Sequence, residues 1–119
     1  MKRSPLRDKT MLLSEQVIRL VHFLTKQQSE YIFSKQLARS GTNPGAMLRE
    51  ANNAESRRDF IHKLHVAQKE VGETQYWLEL LLRTNYIDQD QFKRIYPLTK
   101  EIMLMLRSSI ITAKKKSEK

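Results

Sequence analysis

"RSGTNPGAMLREAN", residues 39–52, holds two of the three glycines and one of the three prolines in a chain of 119 residues. How this stretch is read decides the fold. "GTNPG" invites comparison with a phosphate-binding loop, but Ala46 and Met47 follow Gly45 where that loop needs a Lys and then a Ser or Thr. The helical reading is stronger. A proline pushes the residue before it out of the α conformation and itself suits the first position of a helix. Asn43 is therefore expected to end one segment and to cap another that resumes at Pro44. Apolar residues recur at helical spacing on both sides, with Ile32, Phe33, Leu37 and Ala38 before and Met47, Leu48 and Ala51 after. The stretch reads as an interruption in one helix, kinked or broken near Gly41–Gly45, where the glycines allow a neighbouring helix to come close.

Outward from it, the same periodicity organises the rest of the chain. Leu13, Val17, Leu20, Val21 and Leu24 predict an amphipathic helix from about Lys9 to Gln27, and Ser29 with Glu30 reads as the cap of the next. Ser56 and Asp59 have the character of a capping box, followed by Phe60, Leu64, Ala67, Val71, Leu78 and Leu82. This is the longest helix, expected over about residues 56–84. Asp88 caps a fourth, with Gln91 three residues on and Phe92, Ile95, Ile102, Leu106 and Ile110 along its face. Four helices joined by short turns predict an all-α, up-and-down antiparallel four-helix bundle. Residues 10–113 form the bundle in this reading, between a flexible basic N-terminus, 1–9, and a flexible basic C-terminal tail, 114–119.

Composition narrows the chemistry. With no cysteine there is no disulfide, thiolate metal site or cysteine nucleophile, which suits a reducing cytoplasm. The apolar runs "LELLL" and "IMLML" are far short of the ~20 residues that span a bilayer. The basic start resembles a secretory signal, but Arg19 and His22 interrupt its apolar part, so a cytoplasmic protein without membrane partners is expected. The 22 Lys and Arg against 13 Asp and Glu give a formal charge of +9, which points to nucleic acid or an anionic surface.

Two helices carry more apolar surface than one bundle uses. Tyr76, Trp77, Leu78, Leu80, Leu81 and Leu82 spread over most of the third helix, Val66 shares the side of Trp77, and residues 102–106 are apolar all round. Self-association is the expected cover, with Val66, Tyr76, Trp77, Leu80 and Met103 as its interface. A stripe of Arg58, His62, His65 and Lys69 lies away from the core; it is either a solvated face or a surface for phosphates. His62 and His65 have the spacing of metal ligands, but no third ligand and no zinc-peptidase Glu accompany them. Asp59 and His62 have the spacing of a ferritin-like ligand pair only once, and Ser40 or Thr42 would need a base that sequence cannot supply. No catalytic residue, metal or cofactor is expected.

Residues 40–81 carry the motifs "SGT..GA..REA", "AES..DFIHKL" and "ETQYWLELL". Together they resemble the four-helix-bundle family encoded in intervening sequences of bacterial 23S ribosomal RNA genes. The resemblance implies an up-and-down bundle assembled as a homopentamer. It also implies kinship with the accessory protein of diversity-generating retroelements, in which a basic barrel engages nucleic acid and a reverse transcriptase. The ribosomal label reflects gene location. The resulting expectation is a non-enzymatic, oligomeric bundle that binds RNA or DNA through Arg39, Arg49, Arg58, Lys69, Lys114, Lys115 and Lys116. No aromatic stacking platform is legible, so charge and nucleic-acid shape would drive binding. The alternative is a scaffold for a protein partner, with no direct nucleic-acid contact.

Overall fold

The fold is taken from a computed structural model that describes residues 4–117, with the side chains of 4–116. Four helices follow in order: α1 Pro5–Gln27, α2 Phe33–Asn52, α3 Arg57–Arg83 and α4 Gln89–Ser117. They form a rod of 52 × 25 × 20 Å. In the ring of packed pairs α1 lies against α2 and α4, and α3 against the same two. Neighbours run antiparallel, as α2 and α3 illustrate: Phe33 at the start of α2 stacks on Trp77 late in α3, whereas Glu50 near the end of α2 reaches Lys63 early in α3. The core is a ladder of Leu13, Val17, Leu24, Leu37, Leu64, Val71, Leu78, Leu81, Ile102 and Leu106, each essentially sealed from solvent.

Four boundaries differ from the sequence reading. α1 starts at Pro5, four residues before Lys9: Ser4 accepts a hydrogen bond from the Arg7 N–H, and proline at the first position is preorganised for helix. Pro5 is thus a start and not the mark of a loop, and residues 1–3 of the expected flexible segment lie outside the described residues. At the other end, Lys114, Lys115 and Lys116 belong to the last turn of α4, where cations face the negative end of the helix dipole. Of the expected tail only 118–119 lie outside the described residues.

The cap before α2 is Glu30, not Ser29. Ser29 takes a left-handed conformation, φ 52°, that closes α1, and the N–H of Glu30 reaches back to the Leu24 carbonyl. The buried Glu30 carboxylate then accepts from the N–H groups of Ile32, Phe33 and Ser34 at 2.9, 3.0 and 2.7 Å. Burial pushes its carboxyl upward, but these three bonds and the Ser34 hydroxyl together hold it below the usual carboxylate range. The caps predicted at Ser56 and Asp88 hold. Ser56 accepts from Asp59 N–H, and Asp88 and Gln91 exchange hydrogen bonds at 2.8 and 2.9 Å as a full capping box.

Of the kink or break expected near Gly41–Gly45, the break is absent: the helix is continuous from Phe33 to Asn52 with Pro44 inside it. The proline removes the N–H that would close on the Ser40 carbonyl. What overrides this local signal is one uninterrupted buried stripe, Leu37, Ser40, Gly41, Pro44, Leu48 and Ala51, that packs along the bundle. Of the two glycines only Gly41 mediates close approach. A Cβ there would stand 2.6 Å from Val17, whereas at Gly45 the nearest atom would be 3.7 Å away.

Candidate nucleic-acid interface

An even number of antiparallel helices brings the start of α1 and α3 and the end of α2 and α4 to one pole. This pole gathers Arg7, Arg49, Arg57, Arg58, Lys114, Lys115 and Lys116, all exposed. Asp8, Glu55 and Asp59 are the acidic residues among them in the described chain, and Glu50 is engaged by Lys63 at 2.9 Å. That contact also raises the Lys63 ammonium above its ordinary pKa, so Lys63 stays charged and paired. Arg7 and Arg49 line one small hollow of about 120 Å³ with Thr10, Ser14 and Thr42. Arg57 and Lys116 flank a larger groove of about 480 Å³ between α1, α3 and α4.

The expected binding residues therefore divide. Arg49, Arg58, Lys114, Lys115 and Lys116 share the pole. Lys69 sits eleven residues beyond Arg58 on α3, about 16 Å along the axis at ~1.5 Å per residue, on the solvent side. Arg39 lies in the α2–α3 seam. Its guanidinium spans two carboxylates, Nη1 to Glu70 at 2.7 Å and Nη2 to Glu73 at 3.1 Å. Arg7 and Arg57 are absent from the set expected from sequence. The signal that finds them is positional: once four antiparallel helices are accepted, first turns of odd helices and last turns of even ones must meet.

The Arg39 seam has its own electrostatics. Glu70 is 5% exposed. Burial, and a hydrogen bond shared with Glu73, raise its carboxyl, while Asn43 and Arg39 pull it down. Glu73 is lowered, first by the hydrogen bond from Glu70. The two carboxyls titrate together, with the buried Glu70 shifted up and the more exposed Glu73 shifted down. One turn on, the buried hydroxyls of Ser40 and Thr74 lie 3.0 Å apart, with the Thr74 hydroxyl also 2.9 Å from the Glu70 carbonyl. Ser40 is thus a partner for Thr74 inside a polar seam, and Thr42 bonds back to the Ala38 carbonyl at 2.7 Å.

The opposite pole carries an exposed apolar patch among its own exposed charges, Lys26, Lys35, Arg83, Lys93 and Arg94 with Asp88 and Asp90. Trp77 stacks on Phe33, ring centroids 5.9 Å apart, and meets Tyr76 edge-on at 5.0 Å. Tyr31, Ile32 and Tyr76 beside them are 58%, 71% and 59% exposed. The Trp77 Nε1 is buried without an acceptor among the described residues. Of the expected interface residues, Tyr76 and Trp77 are joined here. Leu80 is half-buried one turn further on, Met103 packs on the core from α4, and Val66 lies half-buried near mid-helix. No described helix is long and apolar enough to cross a membrane. His62 and His65 are exposed, and no group of three metal-ligating side chains occurs among the described residues.

Residues 3–108 match the family model of the 23S rRNA-intervening sequence protein. A crystal structure from Bacteroides thetaiotaomicron VPI-5482, of a protein with unknown function from the S23 ribosomal protein family, superposes with a TM-score of 0.87. It is 47% identical to this chain over 88% of this chain and 97% of that one. No curated protein matches the sequence.

Proposed function

The chain belongs to the family of 23S rRNA-intervening sequence proteins, and on that premise we propose that it acts without catalysis, as a self-associating bundle that binds RNA through its basic pole. The observation that supports this reading is the crowding of cations at one end, where Arg7, Arg49, Arg57, Arg58, Lys114, Lys115 and Lys116 outnumber Asp8, Glu55 and Asp59 among the described residues; the other end also carries exposed cations, but there they surround the exposed apolar patch of Tyr31, Ile32 and Tyr76. Cations crowded on one surface repel one another, and a polyanion relieves that repulsion while releasing its own counterions. Arg39 takes no part, because two carboxylates already balance it. Copies associate through the apolar patch, where a partner would cover Tyr76 and Trp77; the homopentamer implied by the family resemblance is the assembly we favour.

The test is binding of a structured RNA to the full chain at several salt concentrations. Affinity falls steeply with salt, and Arg58→Glu with Lys115→Glu weakens it for all sequences alike while reducing the salt slope by roughly one to two. Binding absent at low salt, or untouched by the double reversal, would sink the reading. A second reading, a scaffold for a protein partner, is favoured by Leu104 and Ile111, an exposed apolar pair two turns apart on α4 and 66% and 46% exposed. Purification from native cells separates the two: nuclease-sensitive material favours RNA, a stoichiometric protein the scaffold.

A further inference from the structure

The groove at the basic pole is a recess of about 480 Å³ between the first turns of α1 and α3 and the last turns of α4. Pockets that bury a small molecule run from about 300 to 1,000 Å³, so one nucleotide fits its size. Its floor is apolar and soft, with Leu6 buried and Phe60 and Met105 half-buried. Its rim carries Arg57 and Lys116, neither with a carboxylate partner among the described residues. Ser109 and Thr112 add hydroxyls between floor and rim, and no carboxylate lines the recess among the described residues. A base needs a flat apolar or aromatic surface, a ribose needs hydroxyl partners and a phosphate needs cations. All three occur here side by side, which a purely electrostatic surface would not require.

We propose that this groove is a site for a single nucleotide monophosphate, its base over Phe60 and Met105, its ribose against Ser109 and Thr112, and its phosphate between Arg57 and Lys116. The site deepens the reading of the basic pole and rests on it: RNA held by charge would present a terminal phosphorylated nucleotide to this groove. A free nucleotide offers the same chemistry.

The experiment titrates the full chain with adenosine monophosphate, with adenosine, and with inorganic phosphate, following the backbone amides of Thr112 and Ala113 by nuclear magnetic resonance. Saturable shifts are expected with the monophosphate, with adenosine and phosphate each weaker by about tenfold or more because each lacks one half of the contacts. Arg57→Gln weakens the monophosphate by a similar factor, and Ser108→Trp, on the exposed rim, abolishes its binding while circular dichroism stays unchanged. A 5′-phosphorylated RNA oligomer that outcompetes its 5′-hydroxyl counterpart identifies a strand end as the ligand; equal competition identifies the free nucleotide. No saturable binding of the monophosphate, or binding indifferent to both variants, overturns the groove proposal. If RNA then still binds the Ser108→Trp protein at full strength, the reading of the pole survives alone; monophosphate binding without RNA binding leaves the groove standing and removes the pole as an RNA surface.

Discussion

Gly41 and Val17 meet backbone to side chain: a Cβ on Gly41 would stand 2.6 Å from Val17 Cγ2 and 2.8 Å from Cγ1. Val17 is fully buried and, being β-branched, has one preferred rotamer in a helix, so it has nowhere to retreat. Gly41→Ala is therefore expected to cost about 1–3 kcal/mol by overpacking, after the ~1 kcal/mol that alanine gains in helix propensity is set against it. Gly45→Ala and Gly72→Ala are expected to stabilise by about 0.5–1 kcal/mol each, since a Cβ at either meets nothing closer than 3.7 Å. Urea denaturation of the three variants checks both signs, and Val17→Ala in the Gly41→Ala background recovers part of the loss. A neutral Gly41→Ala would refute the close contact.

Glu30 ties the end of α1 to the start of α2. Glu30→Gln replaces charged acceptors by one neutral oxygen and is expected to cost about 1–3 kcal/mol. The folded-state pKa of Glu30 is lowered, so its contribution is complete above the unfolded-state value of about 4.3 and is lost as pH falls through the folded value. The wild-type protein thus loses stability in acid partly through this one group. Unfolding followed from neutral to acid pH should show a shallower acid limb in Glu30→Gln; an unchanged limb counts against the cap.

Arg39 neutralises the Glu70–Glu73 pair. Removing it by Arg39→Met leaves two carboxylates facing each other, at an expected cost of about 1–2 kcal/mol, below the figure for a fully buried pair because Arg39 is half-exposed and screened. The folded pKa of Glu70 is raised, so the stability linked to it is complete below the unfolded pKa and is lost as pH rises through the folded value. Arg39→Met should therefore be tolerated in acid and increasingly harmful toward neutral pH. Adding Glu70→Gln to the variant should restore stability at neutral pH, which thermal melts at a series of pH values will show or deny.

Self-association is expected to depend on the apolar patch. Ile32→Glu with Tyr76→Glu places two charges on residues that are 71% and 59% exposed in the single chain, so the fold itself should change by no more than about 0.5 kcal/mol per site. The oligomer should dissociate. Light scattering that finds the double variant and the parent at the same mass places the contact between copies elsewhere, with Leu104 and Ile111 as the next surface to alter.

Periodicity makes the four helices and their order legible in the sequence, because a buried face must recur every three or four residues whatever lies next to it. The caps at Ser56 and Asp88 are legible for a related reason: they use neighbours in sequence. Ser29 and Glu30 are not, since which of them closes α1 and which opens α2 depends on a backbone turned through a positive φ at Ser29. Pro44 misleads because its local strain is visible in the sequence and the packing that opposes it is not. At the candidate interface, Arg49, Arg58, Lys114, Lys115 and Lys116 can be named from charge alone. Arg39 looks the same in sequence, but its carboxylate partners lie 31 and 34 residues away. Charge is visible in a sequence and its neutralisation across helices is not.

Ser4 and Ser117 bound the described chain at the same pole, beside Arg57 and Lys116. A purification handle fused at either terminus would hang over the basic end and obstruct whatever docks there, while leaving the far end free. Reporters and surface tethers belong instead at the exposed Asn85, in the connection between α3 and α4 and clear of Glu30, Tyr31 and Ile32, and a chain reopened there, with its old termini linked, would present the basic end unencumbered.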